Sequence, residues 1–279
     1  MSVTPASSEE HVIEAGHRGI SLGVSALWAQ RELGWIFIRR QISLRYRQMA
    51  LGIFWAVLEP LAFLLLMSAV FGMLLRVDTG NYPYPIFAFS GLMPWLLFNK
   101  ATMAAAQSLV DNMALISKVY FSRLLLPVAG VVRETFDSAV VFVILVILAW
   151  MFGYTPGWKL LLAPILLIYV AINALAVGLW LACVMVPFRD VRPLLTLVLQ
   201  AGMYATPVLY PSTLVPEQLL PYYQLNPMYW SVELFRWLLL DKSIELSGSF
   251  WISLILVVTM LFSGLVVFDS GEKKVVDVQ

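Results

Sequence analysis

Charge is what this chain has least of. Only 13% of its 279 residues are Asp, Glu, Lys or Arg, while 61% are hydrophobic. That is about half the charged share of an ordinary soluble domain. With long uncharged runs, the deficit excludes a soluble globule and marks a polytopic membrane protein. Cysteine is nearly absent. Cys183 stands alone, so no disulfide closes within one chain and no cysteine-based metal site is available. In its apolar run it reads as a small buried hydrophobe. Histidine is confined to His11 and His17, in a polar opening stretch, which leaves no buried histidine for a catalytic role. The dipeptide Gly-Lys does not occur, and that removes a phosphate-cradling Walker A loop. A dinucleotide-binding glycine fingerprint, His-Glu-x-x-His and a nucleophile elbow are also missing. The acids and bases are spread singly, so no catalytic residue, metal or cofactor is expected in this chain. A net charge of +1 gives no basis for nucleic-acid binding.

What is present is apolar length. A membrane-crossing helix needs about 20 apolar residues, and six stretches qualify: Met49–Leu75, Ile86–Val110, Val128–Phe152, Leu160–Val186, Leu194–Tyr210 and Phe250–Phe268. The fifth is short and is interrupted by Gly202 and Pro207. Basic residues set the orientation. With the N-terminus inside, thirteen Lys or Arg lie on or near the cytoplasmic side and four outside: Arg76, Lys159, Arg236 and Lys242. Residues 1–26 then form a polar cytoplasmic tail without the apolar core of a signal peptide, 27–268 the membrane domain, and 269–279 a second cytoplasmic tail.

Three segments outside the spans carry pattern. Leu27–Arg47 reads as a helix with Trp28, Trp35, Ile38, Ile42 and Tyr46 on one stripe. It would lie in the membrane interface, with Arg39, Arg40, Arg45 and Arg47 turned to lipid phosphates. Pro211–Ser249 is too apolar for an ordinary loop. Its prolines and the Asn226–Pro227 helix start predict two short helices that dip into the outer leaflet. Such backbone must be covered by protein or line a cavity, which makes the pair a candidate gate. Asp111–Pro127 is short, amphipathic and basic at Lys118 and Arg123, and it faces the cytoplasm as a contact for another protein.

Two charges fall inside spans. Glu59 and Lys100 each lie ten residues from the cytoplasmic end of the first and second spans, at depths of ~14–15 Å. A charge there is costly on insertion scales. The two are expected to pair, or Lys100 to face a pathway and meet a lipid phosphate. Arg133 and Asp137, four residues apart, are expected to pair within one helix. Aromatic residues crowd the outer half as an interfacial belt. Trp55, Trp95, Tyr204 and Tyr229 are candidates to line a path for sugars, whose C–H faces pack on rings.

Five stretches give these features a family. LGIFWAVLEP (51–60), YPIFAFSGLMPW (84–95), LISKVYFSRLLLP (115–127), FRDVRP (188–193) and LNPMYWSVELFRW (225–237) together resemble the permease subunits of type-2 ATP-binding-cassette exporters for bacterial cell-surface polysaccharides. One departure is Ser122, where related sequences usually carry proline. The resemblance implies a homodimer of six-span chains with two copies of a cytoplasmic subunit that binds ATP and Mg. It implies that the loop is a coupling helix, with Leu115, Ile116, Lys118, Val119, Tyr120, Phe121 and Arg123 at the ATPase contact. The expected fold is all-α: six transmembrane helices, an N-terminal interface helix and two short re-entrant helices. The expected function is export of lipid-linked O-antigen or capsule across the bacterial inner membrane. Rival readings are a permease for teichoic acid or a small amphipathic substrate, and a membrane scaffold or lipid-modifying protein without an ATPase partner.

Overall fold

A computed structural model describes residues 24–47, 54–119, 121–188 and 190–277. Among them every regular element is helical: α1 (Val24–Ala29), α2 (Arg31–Arg47), α3 (Phe54–Met67), α4 (Tyr84–Asp111), α5 (Met113–Ile116), α6 (Leu125–Met151), α7 (Ala163–Met185), α8 (Val191–Ala205), α9 (Leu220–Leu225), α10 (Pro227–Leu240) and α11 (Gly248–Asp277). α3 continues as a π-helical stretch, Ser68–Leu74, and a 3-10 turn, Gly157–Leu162, leads into α7. Among the described residues, Gly157–Met185 and Gly248–Ser270 are both long and apolar enough to cross a bilayer. α4, at 28 residues, extends about 42 Å, and α6 is only slightly shorter.

The boundaries follow local chemistry. Pro83 caps α4 and Pro85 occupies its first turn, where a missing N–H costs nothing. Asn112 ends the helix by donating its side-chain amide to the Ser108 carbonyl at 2.8 Å. α6 starts at Leu125 rather than at Val128, because Pro127 is absorbed into its first turn. α8 stops at Ala205, and the residues after it turn away through Thr206 and Pro207. At 15 residues it is shorter than the predicted fifth span. α11 runs past the predicted end at Phe268 to Asp277.

α4 is the centre of the molecule. It packs on α6, α7, α10 and α3, and nearly every side chain from Ile86 to Phe98 is buried. Two contacts are made at van der Waals limit through small residues, which lets helices approach where lipid offers no hydrophobic drive. A Cβ on Gly178 of α7 would lie 2.4 Å from Ala105 Cβ, and one on Gly130 of α6 would lie 3.3 Å from Ala104.

The outer end is locked by a polar cluster. Asn226 accepts from the Met228 amide at 3.0 Å and so caps α10. α10 is buried against α4 and α7. Arg236, counted above among the outer charges, is completely enclosed. Its Nη1 donates to Glu233 Oε1 at 3.0 Å, and its Nη2 donates to the Val208 carbonyl at 2.8 Å. Its guanidinium carbon lies 3.9 Å from the Phe87 ring centre. Lys242 Nζ donates to the other Glu233 oxygen at 2.7 Å. Lys159, paired with Asp241, stands over the Trp237 ring at 4.7 Å. Both outer lysines are thus tied to α10.

Gly91 makes room for this lock, since a Cβ there would lie 2.5 Å from the Val208 oxygen and 3.1 Å from Arg236 Nη2. The carbonyl is backbone and has little freedom to yield. Gly91→Ala is therefore expected to destabilise the folded chain by about 1–3 kcal/mol, read as a lower midpoint in thermal unfolding of the detergent-purified protein. An unchanged midpoint would mean that the 206–210 segment moves freely from α4.

Candidate functional site

The inner end of α4 turns into the predicted contact loop. Only one turn of helix forms there, α5, followed by turns to Val119 and an irregular link to α6. Two partly buried residues, Leu115 and Ile116, pack inward on the cluster around Leu109, Phe121 and Leu124. Lys118 and Val119 are exposed, Val119 to 49%. Phe121, read from sequence as a docking anchor, is instead buried, with its ring centre 5.2 Å from that of Phe37. It fastens the loop to α2. The Ser122 amide reinforces that contact by donating to Gln30 Oε1 at 2.9 Å. Arg123 is half-buried and engaged with the chain. Tyr120 lies outside the described residues. The surface available to a partner therefore narrows to Lys118, Val119 and the edge of α5.

α2 lies against the start of α6. Leu33, Gly34 and Phe37 face inward, and a Cβ on Gly34 would lie 2.9 Å from a Leu125 methyl. Trp28 and Trp35, from the predicted stripe, are 74% and 63% exposed, whereas Ile38 and Ile42 of the same stripe are half-buried. The helix has a second, inward face that the sequence reading missed. Its signal is the helical spacing of Leu33, Phe37 and Gln41. Arg39 and Arg40 are exposed. The side chains of Arg45 and Arg47, and that of Trp55, lie outside the described residues.

Lys100 Nζ lies 2.6 Å from Glu59 Oε2, joining α4 to α3, with the Glu59 side chain 61% exposed. Arg133 pairs with Glu134 at 2.5 Å rather than with Asp137. These groups border a cavity of about 590 Å³ between α2, α3, α4 and α6. The aromatic candidates are not brought together. Trp95 is buried on Phe98, where its indole fills the space beside Gly202, and Tyr229 is buried edge-on to Trp230. Among the candidates whose side chains are described, Tyr204 alone is exposed, to 48%.

Removing one partner of the Glu59–Lys100 pair leaves the other without its counter-charge. In a double-mutant cycle with Glu59→Gln and Lys100→Met, the paired change is expected to cost less than the sum of the single ones, with a coupling of at least about 0.5 kcal/mol. Folded-protein yield and thermal midpoint report it. Additive losses would show that the two charges act separately.

Comparison with known proteins places this architecture. The ABC-2 type transporter family matches residues 32–240. The O-antigen export system permease protein RfbA of Myxococcus xanthus is 29% identical over 195 residues, covering 70% of this chain and 74% of the relative. A protein of the same description from Klebsiella pneumoniae is 26% identical over 69% of this chain and 74% of its own length. The polysialic acid transport protein KpsM of Escherichia coli is 26% identical over 84% of this chain and 91% of its own. The matched region runs from α2 to the end of α10 and includes the α4–α6 turn, the ion pair and the buried Arg236. This membrane chain belongs to the ABC-2 type transporter family.

Proposed function

We propose that the chain is the transmembrane subunit of an ATP-driven exporter that carries lipid-linked polysaccharide, of O-antigen or capsule type, across the bacterial inner membrane. Family membership and the two kinds of relative support the cargo class. The observation that carries the mechanism is the exposed Lys118–Val119 edge just beyond α4 and α5, next to the helix at the centre of the bundle. It offers a cation and an apolar contact together, as a docking point needs. Two ATP-binding subunits, which hold ATP and Mg, dock there. Their closure pushes on the turn, and α4, rigid through its packing, carries the push outward.

The apolar stretches support six spans, and the charge asymmetry supports an orientation with both termini in the cytoplasm. Two copies pair around the path. α8 supports this, because it buries Leu195, Leu199 and Met203 and leaves Leu194, Leu197 and Val198 exposed on its other side. Arg39 and Arg40, with Arg45 and Arg47, guide the lipid phosphate at the interface. Glu59 and Lys100 border the path on the cytoplasmic side, and Tyr204 is the aromatic that faces it. α9 and α10 form the re-entrant exit. Trp95 and Tyr229 keep structural roles in this reading.

Lys118→Glu reverses the docking charge on an exposed side chain. The variant is expected to reach the membrane in normal amount, to capture at least about tenfold less ATPase subunit on co-purification, and to lose surface polysaccharide in a strain that lacks the wild-type chain. Full ATPase capture and full export by this variant would refute the docking role. A wild-type chain that captures no ATP-binding subunit would refute the exporter assignment itself.

A further inference from the structure

The cavity of about 590 Å³ has a chemical character of its own. Its long wall is one face of α4 and its end, with polar side chains at Asn99, Lys100, Gln107, Ser108, Asp111 and Asn112, interrupted for one turn by Met103 and Ala104. The stretch covers ~20 Å. A smaller recess of about 350 Å³ shares Gln41, Asp111 and Asn112 with it and reaches Arg40 and Leu115. The space thus opens beside the docking turn. Polar side chains inside a membrane domain are expensive and mark a pathway or a ligand.

Three features narrow the ligand. The first is charge. The described lining residues include three carboxylates, on Glu59, Asp111 and Glu134, against two cations, Lys100 and Arg133. Both cations already meet a carboxylate. A phosphate would have to break a pair and then face the released carboxylate at close range. The second is polarity, since an acyl chain would strand the amides of Gln41, Asn99 and Gln107. The third is unmet hydrogen-bonding capacity. Gln41 Oε1 and Ser108 Oγ are buried without a partner, and Ser108 is 5% exposed. Gln107 Nε2 reaches only the Met103 sulfur, at 4.0 Å. A hydroxyl donates and accepts at once. A neutral polyhydroxylated group can therefore serve carboxylates, amides and the serine together without disturbing either ion pair.

Resting on the reading of the cargo as polysaccharide, we propose that this cavity is a binding subsite for neutral sugar units on the cytoplasmic side of the membrane, and not for the phosphate of a lipid carrier. Sugar units lying along the α4 stripe would end beside the turn on which the ATPase acts.

Cysteine protection tests the subsite. In a Cys183→Ala background, Ser108→Cys and, separately, Met103→Cys place one thiol on the cavity wall of the full-length chain in detergent. A small water-soluble maleimide is expected to label both. Glucose, mannose or N-acetylglucosamine should slow labelling about fivefold at four times its dissociation constant, and sodium pyrophosphate should not. Protection by pyrophosphate without protection by any of the sugars overturns the proposal. So does unaltered labelling in every sugar up to its solubility limit, or failure of the reagent to reach either thiol. The readout needs neither ATPase nor export. A chain that captures its ATPase and exports glycan, yet shows no sugar protection, loses the subsite and keeps the proposed function.

Discussion

α4 touches its neighbours at positions with no room for another carbon. Gly178 meets Ala105, Gly130 meets Ala104, and Gly91 meets the Val208 carbonyl. In lipid, helices gain nothing from hiding apolar surface, so close backbone approach and interhelical hydrogen bonds hold the bundle. The small residues are therefore a condition for the rest. They seat α6 and α7 flush on α4 and bring the segment after α8 within reach of Arg236. They also brace α4 by close packing on both sides of its interior Pro94, the support that the proposed transmission of motion requires.

The two halves of α4 do different work because their sequences differ. From Ile86 to Phe98 the helix is enclosed by apolar partners and the α10 lock. From Asn99 to Asn112 one face turns polar and borders the cavity, with Lys100 held by Glu59 at its upper end. The helix thus joins a closed apolar region to a polar one and ends just before the turn that carries Lys118 and Val119. The proposed docking surface, the cavity and the α10 lock all border one helix, and in the proposed function a push at one end of it is passed to the other.

Long apolar runs bounded by proline or by Asp-Asn made α4, α6, α7 and α11 legible from sequence to within a few residues at most boundaries, since nothing competes with helix in such segments. The Glu59–Lys100 contact was legible from depth alone. Three things were not. The sequence does not say which side of α2 meets the bundle, so Phe121 read as exposed when Phe37 covers it. Arg236 counted as an outer charge because positive residues are assigned by span order; the i,i+3 spacing from Glu233 was the available sign of its burial. The polar stripe on α4 was masked by the apolar average of its span, although Asn99, Gln107 and Asp111 repeat at helical spacing.

The central claim is that the turn after α4 receives the ATPase and that α4 moves as a rod. Amide hydrogen exchange on the membrane-embedded chain, with and without its ATP-binding subunit and nucleotide, tests both parts at once. The account predicts new protection confined to residues 112–119, with the amides of 84–111 unchanged. An unprotected turn, or faster exchange in the middle of α4 on nucleotide binding, would contradict it.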